Sequence, residues 1–568
     1  MLSNALSSIS STKIKKYVGT VMTAIVLLMM SFTAKAQTIW DGTADVSWYS
    51  SSKTEFTITT AEQLAGLAQL VNNRTDAQWY ERAMSGKTFT LGNDILLNDT
   101  TGWRNWADNA PARHWTPIGS ITNRSTTYFN GTFDGAGFVV AGIYGGNGDA
   151  NISGGLFQYV DTAGVIKNLG VTALHVINSI YPYRSGGLVG NNSGTIINSY
   201  VTGVTLMVSI AGRAGGLVGD NSGTIINSYV TDVTMKIVPI IPMGEGNHPR
   251  YVGGFVVDNT GTITNSYAAG DITATRGITA TGDVIRSYVA GFVVNNSGPI
   301  TNCYVTGNIT GDGIAGLVHG NSGPITNSYA TGNFTGTIGA AGLVVQNYNN
   351  GTITNSYAAG NLTGTRSAGL VLTNNGTISN SYYNSETAGV GVEGDYETPR
   401  TTAQMKQQST YTDWNFSSVW GIDASINNGY PYLRTIGTSV SVLSPNRTIP
   451  SNNTNWGETV IAPVNALTGE FTAGPNPVTR SSESVKFFRQ GKRIQSAALT
   501  IFDASGNVIN KIKITDNALN KQTRREVGSW DLTDRKGRLV PDGTYLVRGV
   551  VTTSDGKKER VSVMVGVR

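Results

Sequence analysis

The sequence predicts an all-β fold in which a right-handed parallel β-helix, or β-solenoid, is followed by a C-terminal Ig-like β-sandwich. Two patterns indicate this fold: a block that recurs seven times along the middle of the chain, and alternating apolar and polar runs near the C terminus. The composition agrees, because 70 Gly and a charged fraction of 14% in 568 residues are typical of many short strands and turns. With 39% hydrophobic residues, the chain is not a charged disordered polypeptide.

The N-terminal segment, residues 1–36, has the pattern of a secretory signal peptide. Three Lys precede an apolar run at 18–30, and the small residues Ala34 and Ala36 mark a cleavage point. No later stretch approaches the ~20 apolar residues that a membrane-spanning helix needs. The mature chain is therefore expected to be secreted or cell-surface, with no transmembrane segment.

Residues 37–150 are predicted to form an N-terminal cap and the first coils. Thr60 is a suitable helix N-cap, with Gln63 at the third helical position. Apolar residues then follow at helical spacing: Leu64, Leu67, Leu70 and Val71. A short helix here would cover the open edge of the first coil, which would otherwise favour aggregation.

The repeated block lies within residues 151–434, which are predicted to form the solenoid and its C-terminal cap. Two Asn of each block are always six residues apart, whereas the distance between successive blocks varies from 25 to 38 residues. The seven blocks end at Tyr200, Tyr229, Tyr267, Tyr304, Tyr329, Tyr357 and Tyr382. A constant block with a variable loop is expected of coils that pair at ~4.8 Å spacing while one corner extends outward.

For each position within the block, which we call a slot, the sequence predicts whether the side chain faces inward or outward. The slot of Ile196 is Ile in every copy and is expected to face the interior. The Asn two residues later, such as Asn198, is expected to stack on its equivalent in the next coil. The block's Gly residues are expected to supply positive φ at the turns. Cys303 replaces Ser in a small interior slot and is therefore read as a structural thiol.

The Tyr after that slot is predicted to point outward, although inward stacking is an alternative. An exposed row of rings could bind sugars by stacking, or the rings could stack on each other for structural reasons. The candidate ligand-binding residues of this row are Tyr200, Tyr229, Tyr267 and Tyr304.

Two pairs of charged residues are the remaining candidates for a site. Asp220 and Asp258 each follow the Gly-Leu or Gly-Phe anchor by three residues on successive coils, so they are expected to be neighbours. They could bind calcium, act as a catalytic acid/base pair, or lie in a solvated turn. Arg184 and Arg213 each precede the Leu of their block by four residues and could hold an acidic polysaccharide, or could be scattered surface charges.

Cofactors other than that calcium ion are not expected, because the four His share no metal-ligand spacing. The formal charge of +5 divides unevenly along the chain. Residues 37–470 carry 19 Lys and Arg against 27 Asp and Glu, whereas 471–568 carry 18 against 9. An acidic body with a basic tail argues against nucleic acid as the partner.

The block Gly-Gly-Leu-Val-Gly-x-Asn-x-Gly-x-Ile-x-Asn-Ser-Tyr at 186–200 and 215–229 resembles the GLUG repeat of bacterial surface and secreted proteins. The flanks at 115–119 and 429–433, Trp-Thr-Pro-Ile-Gly and Gly-Tyr-Pro-Tyr-Leu, resemble the same proteins. The resemblance implies an adhesin-like protein. GLUG repeats also occur beside peptidase domains, but the sequence has no His-Glu-x-x-His motif.

Residues 435–470 are rich in Ser, Thr, Asn and Pro and are predicted to be a linker. Residues 471–568 follow as a separate β domain with strand-like runs between turn signals. The motifs at 503–506, 530–533 and 541–545 (Asp-Ala-Ser-Gly, Trp-Asp-Leu-Thr and Pro-Asp-Gly-Thr-Tyr) resemble the Ig-like domain of the flagellar hook-capping protein. They also resemble the C-terminal sorting domains of type IX secretion cargo, which implies secretion machinery as a partner.

The sequence thus predicts a secreted or cell-surface, non-catalytic repeat protein, adhesin-like or structural, that is exported or anchored through its C-terminal domain. Its ligand would be a cell-surface glycan or a protein. The alternative is a carbohydrate-binding or polysaccharide-degrading β-helix protein, in which Asp220, Asp258 and an Arg would have to converge in a cleft.

Overall fold

The computed structural model describes the solenoid, its two caps and most strands of the tail. The described residues are 38–73, 84–121, 126–145, 155–178, 184–208, 212–237, 250–274, 277–278, 284–389, 398–424, 426–434, 471–474, 485–490, 494–502, 508–515, 524–534, 538–540, 543–553 and 558–567. The predicted signal peptide and the predicted linker lie outside these residues.

Four long parallel sheets form the sides of the body, and each full coil of the chain contributes one strand to each sheet in turn. Sheet 1 comprises Phe157–Val160, Val189–Asn192, Val218–Asn221, Val256–Asn259, Val293–Asn296, Val318–Asn321, Val344–Asn347 and Val371–Asn374. Sheet 2 comprises Glu55–Ile58, Thr88–Leu91, Thr132–Asp134, Val165–Lys167, Thr195–Ile197, Thr224–Ile226, Thr262–Thr264, Ile300–Thr301, Pro324–Thr326, Thr352–Thr354 and Thr377–Ser379.

The other two sheets complete each coil. Sheet 3 comprises Ile95–Leu96, Val139–Ala141, Tyr144–Gly145, Gly170–Asn178, Tyr200–Val208, Tyr229–Ile237, Tyr267–Ala269, Tyr304–Thr306, Tyr329–Thr331, Tyr357–Ala358, Tyr382–Asn384 and Thr398–Arg400. Sheet 4 comprises Arg184–Gly186, Arg213–Gly215, Arg250–Gly253, Ile272–Thr273, Ser287–Ala290, Ile309–Ala315, Asn333–Ala341, Asn361–Gly364 and Ser367–Ala368. The all-β fold of long parallel sheets is therefore confirmed and has the arrangement of a β-solenoid.

The interior slots of the block are filled as predicted. Ile196 and its equivalents Ile225 and Ile263 pair in register along sheet 2, and each is fully buried. The Ser slot also faces the interior, because Ser199 and Ser228 are fully buried. Cys303 lies in this slot, and burial raises the pKa of its thiol to about 12, as expected for a structural thiol.

The two Asn of the repeated block form two ladders along the solenoid. In one, the Asn198 side chain donates to Asn168 over 3.2 Å, and Asn227 donates to Asn198 over 3.2 Å. In the other, Asn221 donates to Asn259 and Asn259 donates to Asn296, each over 2.8 Å. The predicted Asn stacking is confirmed, and the second ladder extends it to the first Asn of the block.

The prediction that Gly residues supply positive φ at the turns is confirmed just after several blocks, at Gly270, Gly307 and Gly332, but is wrong for the Gly residues within the block. The corner Asn adopt this conformation instead, for example Asn198 and Asn227 with φ of 49°. Gly223 is required for a different reason, because a Cβ at this position would lie 2.0 Å from the carbonyl oxygen of Gly194 in the preceding coil. Close stacking of the coils therefore explains the Gly of this turn.

The N-terminal cap contains the predicted helix, Ala61–Asn72. The Thr60 side chain accepts from the backbone N–H of Gln63 over 3.3 Å, and Leu64 and Leu67 are fully buried against the first coils. A short 3₁₀ helix, Trp103–Asn105, lies further along. Elsewhere in the N-terminal region, Ser120–Ile121 pairs antiparallel with Thr126–Thr127.

A separate ion pair lies beside this 3₁₀ helix. Arg104 pairs with Asp232 of the solenoid over 2.6 Å. The same region packs through Trp103 and Trp106 against Tyr144.

The C-terminal cap follows the last coil. It contains the helix Thr402–Met405, the 3₁₀ turns Gln408–Thr410 and Asn427–Gly429, and the antiparallel pair Trp420–Gly421 and Tyr432–Leu433. A further antiparallel pair, Gly277–Ile278 with Val284–Ile285, lies in a loop between coils.

The tail contains two antiparallel sheets. One comprises Phe471–Gly474, Val485–Gln490 and Arg524–Trp530, and the other comprises Val508–Thr515, Ile494–Phe502, Gly543–Thr553 and Lys558–Val567. Apolar residues of both sheets are buried, including Phe487, Trp530, Ile501 and Val547. The tail is thus an antiparallel β region, as the alternating runs predict.

Candidate functional site

Two outward-facing rows of side chains meet where sheet 4 turns into sheet 1. Arg184 of sheet 4 pairs in register with Arg213, and Tyr251 and Tyr288 occupy the same slot in the next two coils. On sheet 1, the facing row runs through Asn191, Asp220, Asp258 and Asn295, again in register. We call the corner between these two rows the 4/1 groove.

Ion pairs cross the groove from one sheet to the other. The Arg184 Nε lies 2.5 Å from Asp220 Oδ2 and 3.6 Å from Asp258 Oδ2, while Arg213 pairs closely with Asp258. The Asn295 amide also donates to Asp258 Oδ1 over 2.7 Å. The structure thus brings all four charged residues singled out in the sequence into one cluster.

The cluster is only partly open to solvent. The side chains of Arg184 and Asp220 are 32% and 27% exposed, and those of Arg213 and Asp258 are 20% and 21% exposed. The pKa of Asp220 is raised to about 7, mainly because burial disfavours the ionised carboxylate more than the positive charge of Arg184 stabilises it. The negative charge of the nearby Asp258 also raises this pKa. Asp220 therefore gains or loses its proton near neutral pH.

Aromatic rings continue the groove beyond the charged cluster. The Arg213 guanidinium carbon lies 4.4 Å from the centre of the Tyr251 ring, which is 5.5 Å from the Tyr288 ring. The centre of the Tyr288 ring in turn lies 4.8 Å from the centre of the His319 ring on sheet 1. Burial lowers the pKa of His319 to about 4, so its imidazole is neutral above that pH.

Apolar side chains form the floor of the aromatic part. Val257 and Val294 of sheet 1 pack with Ala290 and Ala315 of sheet 4 in a buried cluster that is separate from the main core. Because these residues lie outside the solenoid interior and are nevertheless buried, the outer faces of sheets 4 and 1 must face each other. The corner is therefore concave.

One buried polar side chain lies at the N-terminal end of the groove. Gln158 is only 3% exposed, and neither its amide oxygen nor its amide nitrogen has a hydrogen-bond partner. Its amide nitrogen would lie 2.6 Å from a Cβ at Gly190, which follows it in the same outward slot of the next coil. The amide therefore lies over Gly190 of the next coil.

Sequence reasoning missed the aromatic residues of this groove. Tyr251 and Tyr288 stand at the same distance before the Gly-Leu or Gly-Phe anchor as the two Arg, so an alignment of the repeats on that anchor reveals them. Arg250, one residue before Tyr251, is fully buried in the solenoid. Arg286 is exposed but lies one residue before its strand.

The Tyr ladder lies on sheet 3, away from the groove. The ring centroids of Tyr200 and Tyr229 are 5.0 Å apart with planes only 3° from parallel, and the stacking continues with similar geometry through Tyr267, Tyr304 and Tyr329. Because neighbouring rings cover each other's faces, only ring edges and hydroxyl groups point outward. Sugar binding by these residues stays a prediction, and a sugar cannot stack on the covered faces.

The C-terminal cap covers the later part of this ladder. Tyr357 donates its hydroxyl to the Pro431 carbonyl over 2.7 Å and accepts from the Asn427 amide over 2.7 Å. Tyr329 and Tyr357 belong to a buried cluster with cap residues that is separate from the main core. The rings therefore point outward from the solenoid but are buried by the cap.

Calcium binding at Asp220 and Asp258 stays a prediction. Within the described ranges, no three His, Cys, Asp or Glu residues lie close enough together to hold a metal ion. The two carboxylates already pair with Arg184 and Arg213, so a cation would have to displace two guanidinium groups. For the part of the chain that the structure covers, no helix has the length and apolar character needed to cross a membrane.

Comparison with known proteins identifies the repeat. Residues 181–206 match the family model of the GLUG motif, which confirms the resemblance of the repeated block at these residues. A "Putative Gly-rich membrane protein" of Evansella cellulosilytica is 34% identical over 84 residues, which are 15% of this chain and 9% of that protein. The chain therefore matches only a small part of this relative.

Among solved structures, the chain is similar to the crystal structure of dimeric latent PorU from Porphyromonas gingivalis. The match has 24% sequence identity and a TM-score of 0.15, and it covers 17% of this chain and 9% of that chain.

Proposed function

We propose that this chain is a secreted or cell-surface, adhesin-like repeat protein that binds an extended glycan in the 4/1 groove without catalysis. The observation that supports the proposal is the groove itself. Arg184, Arg213, Tyr251 and Tyr288 stand in register on four successive coils opposite a second polar row. The solenoid spaces such groups at ~4.8 Å, so a chain-like ligand lying along its axis meets a new pair at each coil.

The chemistry of the groove suits a saccharide. Guanidinium and carboxylate groups make directional hydrogen bonds to hydroxyl and acidic groups, and Tyr rings provide flat apolar contact. Tyr251 and Tyr288 are half-buried, so part of each ring is open to solvent. The groove therefore combines the polar and aromatic groups that ligand sites use for orientation and contact.

Location at the cell surface is supported by the repeat and by the chain ends. The GLUG motif at 181–206 and the similarity to a Gly-rich membrane protein agree with a surface-associated repeat protein. The signal-peptide pattern at 1–36 agrees with export. For the tail, we propose an Ig-like sandwich that exports or anchors the body, which is consistent with its two antiparallel sheets.

Deleting residues 471–568 tests the role of the tail. We expect the shortened protein to accumulate inside the producing cell or its envelope, while the full chain reaches the exterior. Undiminished arrival of the shortened protein at the exterior would refute the sorting role.

A glycan array tests the binding function. The full chain is compared with the double variant Arg184→Gln/Arg213→Gln and with the control Arg104→Gln, which breaks an ion pair outside the groove. We expect the double variant to lose binding by at least about tenfold while the control binds normally. Equal binding by all three proteins, with unchanged circular dichroism, would contradict the assignment of the groove.

A second candidate function is polysaccharide degradation, which one observation favours. Asp220 and Asp258 lie on adjacent strands, and a carboxyl group with a pKa of about 7 can act as a general acid at neutral pH. Release of reducing ends from soluble polysaccharides by the wild type, abolished by Asp220→Asn, would favour this function over simple binding. Binding without release of reducing ends would exclude it for the polymers tested.

A further inference from the structure

The charge of the 4/1 groove depends on one proton. Arg184 and Arg213 of sheet 4 and Asp258 from the next coil of sheet 1 are the charged groups that face Asp220. When both carboxyl groups are ionised, they balance the two guanidinium groups. When the carboxyl pair holds a proton, the cluster has one surplus positive charge.

The geometry indicates which cation becomes available. Asp258 has two stable partners, because it pairs with Arg213 and accepts from the Asn295 amide over 2.7 Å. Asp220 depends mainly on Arg184, and its Oδ1 atom is buried without a hydrogen-bond partner. Proton uptake at Asp220 therefore ends the close pair with Arg184, which keeps only its 3.6 Å contact with Asp258, and leaves the Arg213–Asp258 pair intact.

We propose that the 4/1 groove binds anionic saccharides, through a carboxylate or sulfate group held by Arg184, and that it binds them more tightly when the Asp220–Asp258 pair holds a proton. The inference rests on the proposed glycan-binding function and adds the ligand class. A freed guanidinium presents parallel N–H donors that match the oxygens of a carboxylate or sulfate group. The unpartnered Gln158 amide at the end of the groove offers a further donor and acceptor.

The position of the charged cluster also orients the ligand. Arg184 and Arg213 belong to the first coils of the groove, whereas Tyr251 and Tyr288 belong to the following two coils. An anionic sugar at Arg184 therefore leaves the rest of the chain to lie along the Tyr side chains and the apolar floor. Neutral sugars would use the aromatic part alone and would not respond to the proton.

The test measures the affinity of the full chain for polygalacturonate and for the neutral polymer hydroxyethyl cellulose at pH 5.5 and pH 8, at constant ionic strength. Polygalacturonate stays ionised across this range, while Asp220 changes protonation because its pKa is about 7. We expect polygalacturonate to bind roughly five- to tenfold more tightly at pH 5.5 than at pH 8. Protonation of Asp220 removes one negative charge that would otherwise repel the anionic ligand. Dextran sulfate in place of polygalacturonate distinguishes sulfate from carboxylate recognition.

Three variants assign the effect to named groups. Asp220→Asn removes the negative charge permanently, so it should bind polygalacturonate at pH 8 as tightly as the wild type does at pH 5.5. Arg184→Gln should lose the tight binding at both pH values. Asp232→Asn is the matched control, since it removes a carboxylate from the ion pair with Arg104 outside the groove, and it should keep the wild-type pH dependence.

The outcomes separate this inference from the function on which it rests. If the wild type binds both polymers with no pH dependence, or if Asp220→Asn keeps the wild-type dependence, the proton-controlled binding of anionic saccharides is overturned and groove binding stands. If the folded protein binds no polymer at either pH, both the inference and the proposed glycan binding are overturned.

Discussion

Replacing Asn259 by Ala tests the buried Asn ladder that holds successive coils in register. Asn259 is 1% exposed, accepts from Asn221 over 2.8 Å, and donates to Asn296 over 2.8 Å. The substitution leaves the Asn221 amide with only a 3.4 Å contact to Gly223 O and removes the donor to the Asn296 oxygen. It also removes the 3.0 Å hydrogen bond that Asn259 donates to the partly buried carbonyl of Gly261 in its own turn. Two buried polar groups in adjacent coils thus lose a partner.

The structure sets the size of this effect. A buried group left without its hydrogen bond costs ~1–3 kcal/mol, so two such groups predict a loss of about 2–6 kcal/mol in the free energy of unfolding. Urea unfolding of the full chain, followed by far-ultraviolet circular dichroism, measures the change as a shift of the solenoid's transition to lower urea.

Asn333→Ala is the matched control. Asn333 also belongs to an Asn ladder, donating to Asn308 over 2.8 Å and accepting from Asn361 over 2.7 Å, but this ladder is exposed. Water can replace the lost hydrogen bonds there, so we expect a loss of less than about 1 kcal/mol. Equal destabilisation by the two substitutions would refute the argument that burial makes the inner ladder stabilising.

Three further predictions concern single side chains. The folded-state pKa of Asp220 lies above its usual value, at about 7. The contribution of Asp220 to stability is therefore complete below pH ~4 and is lost as the pH rises through 7. Asp220→Asn should stabilise the protein at pH 8 by at most about 4 kcal/mol, and much less at pH 4, as measured by urea unfolding. Tyr357→Phe removes one buried and one partly buried hydrogen bond to the C-terminal cap and should speed proteolysis of 398–434, and an unchanged cleavage rate would contradict this role. Cys303 is fully buried with a thiol pKa raised to about 12, so a thiol reagent at pH 8 should label it only after denaturation; rapid labelling of the native protein would show that the slot is open.

The sequence was most informative where the repeat is constant. The Ile196 slot, the Ser199 slot and the stacking of Asn198 follow from a fixed six-residue spacing, because parallel pairing forces equivalent residues to lie above one another. The same logic correctly made Asp220 and Asp258 neighbours. Register alone therefore predicts contacts between coils.

Contacts between sheets were harder to predict. Whether the corner between sheets 4 and 1 is convex or concave depends on the backbone turn at the Gly-Leu-Val anchor, between strands such as Arg184–Gly186 and Val189–Asn192, and register within a sheet does not define that turn. The ion pair of Arg184 with Asp220 and the cluster of Val257 with Tyr251 both depend on the concave corner, so they could not be derived from spacing. The burial of Tyr357 likewise depends on the cap, which lies outside the repeat.

The role of Gly in the turns shows a second limit of sequence reasoning. Both Gly and Asn accept positive φ, and composition alone does not say which of them occupies the strained corner. In this solenoid Asn198 has the positive φ, whereas Gly223 is required by its closeness to a carbonyl of the preceding coil.

The most direct test of the central claim, that the 4/1 groove is the ligand site, is hydrogen–deuterium exchange of the full chain with and without polygalacturonate at pH 5.5. Ligand in the groove should slow exchange in peptides that cover 184–192 and 213–221, and more weakly in 251–259. Exchange on the Tyr face, in peptides covering 200–208 and 229–237, should stay unchanged. Slowed exchange confined to the Tyr face or to the tail, with the groove unaffected, would contradict the account.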